Sequence, residues 1–298
     1  MPELPEVESV RLSLIPHLVG RRVATARLYR NDICTTHDGC KPTGSLLLEG
    51  AKIAELRRHG KQLAILADDG RAVCVHLGMS GRLFVQRGGE RPLHGHAEWR
   101  LGDLTLVFED PRRFGGLWTI PDEAALAARW AELGPDALTI TGTALEAGLA
   151  DSKRAIKAAL LDQAVLAGVG NIYADESLFL AEVPPRARAN GVRGERAERL
   201  AAAIRAVLAG AIRSGGSTLR DYRNGLGEPG LAQREHRVYG RGGEPCATCG
   251  ETLRQGTIAQ RTTVWCVRCQ RSASPRRRAR GNARSGKPTA GVPFCIER

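Results

Sequence analysis

The stretch CATCGETLRQGTIAQRTTVWCVRC, residues 246–269, holds two CxxC pairs separated by sixteen residues. Two such pairs present four thiolates as a tetrahedron, the geometry that Zn²⁺ takes in a ribbon or hairpin. With four protein ligands the ion has no position left for water, so we predict one structural zinc ion. The segment RTTVW between the two pairs has strand-forming composition, so we predict that the ion stabilises a β-hairpin that carries Gln260 and Arg261. The predicted ligands are Cys246, Cys249, Cys266 and Cys269.

Cysteine use outside this stretch is sparse, since the whole chain has 8 cysteines in 298 residues. This density argues against a disulfide scaffold, and we expect the scattered cysteines to be reduced thiols. They are Cys34, Cys40, Cys74 and Cys295.

The charge balance favours a polyanionic partner, because 44 Lys and Arg against 32 Asp and Glu give a net charge of +12. With 42% hydrophobic residues, the chain can fill about two globular cores. No apolar run approaches the roughly 18 residues of a membrane span, and the acidic start does not fit a signal peptide. We therefore expect a cytoplasmic protein whose partner is nucleic acid and not a membrane.

The N-terminal half combines one helix with many short strands. Between residues 3 and 18, Val7, Val10, Leu14 and Leu18 form a helical stripe. From residue 22 to 120, runs such as QLAILA and LTLVFED alternate with the turn signals DDG and RGGERP. This alternation of short apolar runs and turns predicts a two-layer β-sandwich and disfavours a parallel α/β sheet.

Beyond LGPDAL, residues 133–138, the pattern becomes helical in SKRAIKAALLDQ, ADESLFLAEV and ERAERLAAAIRAVLAGAIRSGG. Between the first two segments, AVLAGVGNIYADE contains a glycine turn that leads into a helix start near Asn171. Such a turn aims free backbone N–H groups outward as a phosphate site, although it is also a common helix junction.

The chain opens with MPELPEVE, in which Pro2 stands directly before a carboxylate, Glu3. Pro5 and Glu6 suit a first helical turn, so these residues can be an ordinary helix start. If Met1 is removed, however, the chain begins with a secondary amine. An α-amino group has a pKa of about 8, so it is a usable nucleophile near neutral pH.

Five motifs in order, PELPEVE, HLGMSG at 76–81, DPRRFG at 110–115, GVGNIYADE at 168–176 and the four-cysteine hairpin, resemble the bacterial formamidopyrimidine-DNA glycosylases. The resemblance implies an α+β protein: an N-terminal β-sandwich with a leading helix, a helix-two-turns-helix domain and a zinc finger. We place these parts at residues 1–132, 133–234 and 235–270. It also implies a monomeric bacterial enzyme at the nucleoid, with damaged duplex DNA in the cleft between the domains.

The same resemblance implies the chemistry of a bifunctional glycosylase and lyase. Pro2 would attack C1′ of the damaged nucleotide and expel the base, and the resulting iminium would permit β- and δ-elimination. Glu3 would be the catalytic carboxylate, although it can also favour a helix dipole. Lys61 in RRHGKQLAIL would hold the adjacent phosphate, in a stretch one residue longer than the family pattern.

Further residues carry over from the family's contacts with DNA. Glu6 would lie near the lesion, and Met79, Arg112 and Phe114 would fill the gap that the extruded nucleotide leaves. Met79 and Phe114 can alternatively be core residues. The implied phosphate contacts are Asn171, Arg261, His76 and one of His94 or His96. Residues 217–230, STLRDYRNGLGEPG, would form a mobile lid over the lesion.

Two alternatives remain at this stage: an endonuclease VIII-type enzyme for oxidised pyrimidines, and a non-catalytic DNA-binding relative. The family pattern leaves residues 271–298 uncovered, a segment with eight Lys or Arg and one acid. We expect this segment to be disordered without DNA and to act as an electrostatic arm on undamaged DNA. The alternative is a solubilising remnant.

Overall fold

The computed structural model of the chain describes residues 2–271. Its first element is helix α1, Leu4–Leu18, which confirms the predicted helix. The backbone N–H of Glu3, the residue before the helix, donates to the Glu6 carboxylate at 2.8 Å and so caps the first turn. The predicted stripe from Val7 to Leu18 is buried. Helix α1 therefore packs one face against the sandwich that follows it.

Nine strands form the sandwich, in agreement with the predicted two layers. They are β1 Thr25–Leu28, β2 Cys34–Thr35, β3 Ile53–His59, β4 Gln62–Ala67, β5 Ala72–His76, β6 Arg82–Gln86, β7 Gly95–Leu101, β8 Leu104–Glu109 and β9 Gly116–Ile120. One sheet has the order β1-β7-β8-β6 and the other β2-β9-β5-β4-β3. All pairs are antiparallel except β2 with β9. The core between the sheets includes residues of α1, so the helix belongs to this unit.

Within the described residues, five α-helices follow the sandwich. They are α2 Glu123–Ala131, α3 Gly142–Leu149, α4 Ile156–Leu160, α5 Asn171–Leu180 and α6 Glu195–Arg213. Helix α2, which was not predicted, packs Leu126 on the outer face of the five-stranded sheet. Helix α3 was also missed, and α4 is much shorter than its predicted segment because Gln163 and its neighbours form turns.

The helical core reaches back to the N-terminus, because Leu4 is one of its fully buried members. Gly168 lies against Leu4 with a φ of +113°, and a Cβ there would come within 2.4 Å of the Leu4 side chain. Glycine is therefore required at this position both for its backbone conformation and for the close approach. The contact ties α1 to the turn before α5.

The cysteine hairpin consists of β10, Arg254–Ile258, and β11, Arg261–Trp265, which pair antiparallel as predicted. Ala259 and Gln260 form its two-residue turn with φ values of 48° and 56°. Both lie in the left-handed region, as the two-residue turn of a twisted hairpin requires. The hairpin packs on the helical domain through a small core that contains Phe179, Val238 and Val264.

A carboxylate joins the sandwich to the helical domain. Asp136 accepts from the Arg58 guanidinium at 2.6 Å and from the Gly60 N–H at 2.8 Å. The predicted domain boundaries remain predictions. No helix within residues 2–271 is long and apolar enough to cross a membrane, and the predicted arm, apart from residue 271, lies outside the described residues.

Candidate active site

Glu3 lies at the meeting point of α1 and α5, and its side chain is almost fully buried. Its carboxylate accepts from the backbone N–H groups of Gly170 at 2.8 Å and Ile172 at 2.9 Å, with a longer contact from Tyr173. Burial raises the pKa of Glu3, and the Lys61 charge and these N–H groups offset only part of that effect. The expectation that this turn aims its N–H groups outward at a phosphate is therefore wrong, because Glu3 occupies them.

Glu6 lies one turn further along α1 and is equally buried. Its Oε1 accepts from the Tyr173 hydroxyl at 2.5 Å and from the Ser217 N–H at 2.7 Å. Burial, followed by the charge of Glu3, raises the pKa of Glu6 to about 7. Glu6 therefore exchanges its proton near neutral pH, which makes it suited to proton transfer.

A pocket of about 450 Å³ opens beside these carboxylates, and we call it the front pocket. Its lining includes Pro2, Glu6, Met79, Arg112 and the segment 219–222. This volume lies within the usual range for small-molecule sites. The structure thus brings the N-terminal proline and a proton-exchanging carboxyl to one cavity.

Lys61 occupies the turn between β3 and β4 and is only 8% exposed. Burial lowers the pKa of Lys61, while the charges of Glu3 and Glu6 raise it and the charge of Arg261 lowers it further. The bond from the adjacent Gly60 N–H to Asp136 holds this turn against the helical domain. A cation is therefore fixed beside two buried carboxylates.

We call the three residues predicted to fill the gap, Met79, Arg112 and Phe114, the wedge residues. They lie on two loops, the wedge loops, which contact each other. Met79 is 43% exposed and Phe114 56% exposed, so neither is a core residue. The Arg112 guanidinium carbon lies 4.8 Å from the Phe114 ring centroid. Asp110 joins the loops by accepting from Ser80 Oγ at 2.6 Å and from the Gly115 N–H at 2.7 Å. Exposed apolar and cationic groups thus project from a hydrogen-bonded base.

The predicted histidine contacts differ in their accessibility. His76 ends β5 and is half-buried, with a pKa lowered by burial and by the nearby charge of Lys61. His96 is buried, and its Nε2 donates to the Asp110 carbonyl at 2.8 Å. His96 is thus not presented to a phosphate, which leaves the half-buried His94 as the candidate of this pair.

Two further phosphate candidates lie near the hairpin. Arg261 is exposed at the first position of β11. Asn171 is half-buried, and its Nδ2 donates to the Thr262 carbonyl at 3.1 Å. The side chain of Asn171 therefore connects the start of α5 to the hairpin.

The four clustered cysteines fit a tetrahedral metal site. Their sulfur atoms all lie within 4.8 Å of one another. The Cys246–Cys269 and Cys249–Cys266 sulfur pairs are 3.9 Å and 3.4 Å apart. A tetrahedral ion with Zn–S bonds of about 2.3 Å places its sulfurs about 3.8 Å apart. The four cysteines can therefore bind a metal ion, while Cys34, Cys40 and Cys74 are free thiols.

Several residues around the site were not predicted from the sequence. Tyr173 and Ser217 contact Glu6, and the Tyr222 hydroxyl donates to the Glu6 carbonyl at 3.0 Å. Lys157 and Asp175 form a buried ion pair of 2.7 Å. Tyr173 and Asp175 lie within the motif GVGNIYADE, but no local pattern distinguishes Ser217, Tyr222 or Lys157.

The predicted lid, residues 217–230, is attached to the sandwich near its middle. The Gly225 N–H donates to Ser13 Oγ at 2.9 Å, and the Gly225 carbonyl accepts from the Val85 N–H at 2.9 Å. Leu219, near its start, is 50% exposed. The segment therefore closes one side of the front pocket from a fixed point on α1 and β6.

Comparisons with known proteins agree with this arrangement. Residues 1–117 match the formamidopyrimidine-DNA glycosylase N-terminal domain, and residues 133–223 match the H2TH domain of the same enzymes. The formamidopyrimidine-DNA glycosylase of Xanthomonas oryzae pv. oryzae is 47% identical over 279 residues, which cover 91% of this chain and 100% of that protein.

Solved structures give the same result. The MutM (Fpg) protein of Thermus thermophilus superposes with a TM-score of 0.79 and 39% identity, covering 90% of this chain and 98% of that chain. Complexes of the Lactococcus lactis Fpg with DNA containing an abasic site or N7-benzyl-Fapy-dG have TM-scores of 0.80 and 0.81 at 31% identity. They cover 91% of this chain and 100% of theirs.

A β-sandwich and an H2TH domain that enclose a proline and two carboxylates define the class as a DNA glycosylase. The chain belongs to the formamidopyrimidine-DNA glycosylase family. It is therefore a DNA-repair enzyme, and its partner is DNA.

Proposed function

We propose that the protein removes oxidised purines, 8-oxoguanine and formamidopyrimidines, from duplex DNA and then cleaves the strand at the abasic site. The observation that carries the proposal is the front pocket, where Pro2 and Glu6 line one cavity. The backbone N–H of Glu3 donates to the Glu6 carboxylate, and the charges of both carboxylates act on Lys61. All of these groups belong to one chain, and we expect the enzyme to act as a monomer at the nucleoid.

Pro2 is the nucleophile once Met1 has been removed. Its neutral amine attacks C1′, the bond between C1′ and the base breaks, and the base leaves with a proton. Protonation of the ring oxygen opens the sugar and leaves an iminium ion. Loss of the C2′ proton then breaks the C3′–O bond, and a second elimination releases the 5′ phosphate.

Glu3 is the acid for the sugar ring oxygen. A carboxyl whose pKa is raised by burial holds its proton closer to neutral pH than an exposed one, as a general acid requires. The N–H groups at the start of α5 hold the carboxylate in one orientation. Glu3 can therefore give up a proton and still remain hydrogen-bonded.

Lys61 and Arg261 would bind the phosphates that flank the extruded nucleotide, with His76, His94 and Asn171 as additional contacts. The charge of Arg261 acts on Lys61, which supports a shared role for the two cations. Met79, Arg112 and Phe114 would occupy the space in the duplex, where Arg112 offers paired donors to the base opposite the lesion.

The metal held by the hairpin would be one zinc ion. Four cysteine sulfurs at tetrahedral spacing match Zn²⁺, and a closed coordination sphere supplies structural stability. Cys246, Cys249, Cys266 and Cys269 would hold it, and the hairpin would then present Arg261 to DNA from a rigid turn.

Borohydride trapping tests the proposal. On duplex DNA with 8-oxoguanine opposite cytosine, we expect a covalent complex whose crosslink mass spectrometry assigns to the Pro2 amine. A duplex with dihydrothymine should trap less, because the endonuclease VIII-type alternative prefers oxidised pyrimidines. A crosslink on an internal lysine, or full activity in a protein that retains Met1, would contradict the assignment of Pro2.

A further inference from the structure

A second pocket lies behind the active site. We call it the rear pocket: about 420 Å³, lined by residues of α5, α6 and the segment 232–237. Tyr173 and His236 both line it, whereas Glu6 and Ser217 line the front pocket. The two pockets are therefore separated by a layer that contains these four residues.

The four side chains form a continuous hydrogen-bonded chain across that layer. Glu6 Oε1 and the Tyr173 hydroxyl are 2.5 Å apart. The Tyr173 hydroxyl and Ser217 Oγ are 3.1 Å apart, and Ser217 Oγ and His236 Nε2 are 3.0 Å apart. Glu6, Tyr173 and Ser217 are each at most 4% exposed, so water does not interrupt the chain.

We propose that His236, Ser217 and Tyr173 form a proton relay that connects Glu6 with solvent in the rear pocket. The inference rests on the proposed function, in which the damaged nucleotide fills the front pocket and separates Glu6 from the solvent there. The rear pocket then provides the remaining route for the Glu6 proton. His236 does not touch the substrate, so it is a positioning residue that acts through Glu6.

The transfer needs no other reactant. Because the Tyr173 hydroxyl donates to Glu6, the proton transfer runs from His236 toward Glu6. The protonated His236 gives its Nε2 proton to the Ser217 hydroxyl, and Ser217 gives its own proton to the Tyr173 hydroxyl. Tyr173 then protonates the Glu6 carboxylate. The imidazolium becomes neutral as the carboxylate becomes a carboxylic acid, and the two hydroxyls are unchanged. The reverse sequence removes the proton from Glu6.

The charged groups near His236 and near Glu6 are compatible with proton transfer between these two residues. Burial lowers the pKa of His236, and the nearby charges of Glu176 and Glu235 offset part of this effect by favouring the imidazolium. Arg213 of α6 and Arg237 also line the rear pocket and oppose it. The His236 ring contacts the edge of Tyr239 at a centroid distance of 5.6 Å, which fixes its orientation.

At the other end of the relay, Glu6 is influenced by the negative charge of Glu3 and by the positive charge of Lys61. The hydroxyl groups of Tyr173 and Tyr222 also lie near Glu6. Glu176 is held by the N–H groups of Arg237, Val238 and Tyr239, so its charge is fixed in place. The titration that the relay controls is therefore that of Glu6.

The test measures single-turnover base excision against pH for the wild type, His236→Gln and Tyr173→Phe. Glutamine keeps a hydrogen bond to Ser217 but cannot exchange a proton. Because exchange of the Glu6 proton with solvent through the relay is then slowed, the limb of the pH profile set by Glu6 should shift. At pH 7 the rate should fall about tenfold. The matched control His17→Gln, in the last turn of α1, should retain the wild-type profile.

Chemical rescue separates a relay from a structural role. Imidazole added to His236→Ala can enter the rear pocket and should restore most of the lost rate, while it should leave Tyr173→Phe unchanged because the chain is broken further inside. An unshifted pH profile in His236→Gln, or a lower rate without rescue, would overturn the relay. If the wild type itself neither excises nor traps 8-oxoguanine, the proposed function fails; an active wild type with unshifted variants overturns the relay alone.

Discussion

Glu6 shows how one buried carboxyl acquires a function that an exposed glutamate does not have. Removal from water destabilises its charged form, and the neighbouring Glu3 adds to this effect, so its pKa rises to about 7. Its neighbour Glu8, on the same helix, has the opposite shift because the Arg11 and Arg58 guanidinium groups outweigh its burial. Two glutamates two positions apart thus titrate in different pH ranges.

The Glu6→Gln substitution should reveal this difference in stability. In the unfolded chain Glu6 ionises near pH 4.5, whereas in the folded protein it keeps its proton up to about pH 7. The free energy of unfolding of the wild type should therefore fall relative to Glu6→Gln as the pH rises from 5 to 7, by about 2 kcal/mol. Above the folded pKa the difference should be constant. Chemical denaturation at each pH measures it.

Glu8→Gln is the matched control. Because the folded pKa of Glu8 is lowered, its contribution is present above the unfolded pKa and is lost only as the pH falls through the folded pKa. The stability difference between wild type and Glu8→Gln should therefore be flat between pH 5 and 8. A flat curve for Glu6→Gln as well would mean that Glu6 ionises normally in the folded protein.

At the scale of elements, the site depends on how three segments meet at the start of α5. Glu3 at the start of α1 takes the N–H groups of this helix. Asp175 inside the helix accepts from the Val264 N–H of β11 at 3.0 Å and pairs with Lys157 of α4. Lys157 in turn donates to the Thr263 hydroxyl at 2.8 Å. The ion pair therefore attaches the metal-binding hairpin to the helical domain.

Removing one charge of this ion pair should strongly lower the free energy of unfolding. The side chains of Lys157 and Asp175 are 0% and 1% exposed. Asp175→Asn leaves the Lys157 charge buried without a counter-charge and should lower the free energy of unfolding by about 3–5 kcal/mol. The double variant Lys157→Met with Asp175→Asn removes that charge and should recover at least half of the loss. Urea denaturation of the three proteins measures both values, and equal stability of the single and double variants would show that the pair is not the cause.

At the scale of the whole molecule, the positive charge is unevenly distributed along the chain. Residues 271–298 carry eight of the 44 Lys and Arg but only one of the 32 acids. Gln270, the residue before them, is buried, donates to the Val183 carbonyl and accepts from the Cys266 N–H, both at 2.9 Å. A chain that ends at Gln270 therefore retains the front pocket, the wedge loops and the four cysteines.

Such a truncated protein should keep its single-turnover excision rate and lose affinity for undamaged DNA. Each neutralised phosphate contributes about 0.9 to the slope of log affinity against log salt, so the slope should fall by a few units. Replacing the arginines at 276–278 with glutamine keeps the length and should give an intermediate slope. The measurement is binding of both proteins to lesion-free duplex across a salt series. Identical slopes for the full and truncated chains would show that residues 271–298 do not have this function. A lost excision rate in the truncated chain would show that the segment is needed for folding.

What the sequence determines by itself is local. The spacing of the CxxC pairs predicts the metal-binding hairpin, and the periodicity of Val7, Val10, Leu14 and Leu18 predicts α1 because a helical face repeats within a few residues. Alternating apolar runs and turns predict the sandwich, and the order of five motifs identifies the family. Each of these signals lies within a short window of the chain or in the order of such windows.

The tertiary structure alone decided which of these residues work together. Glu3 meets N–H groups more than 160 positions away, and this contact changes the predicted phosphate site into a carboxylate support. His236 and Asp136 are ordinary surface residue types in the sequence, and only packing places one in a chain to Glu6 and the other beneath the Lys61 turn. Burial sets the pKa of Glu6, and burial depends on contacts between distant segments, so no local pattern contains it.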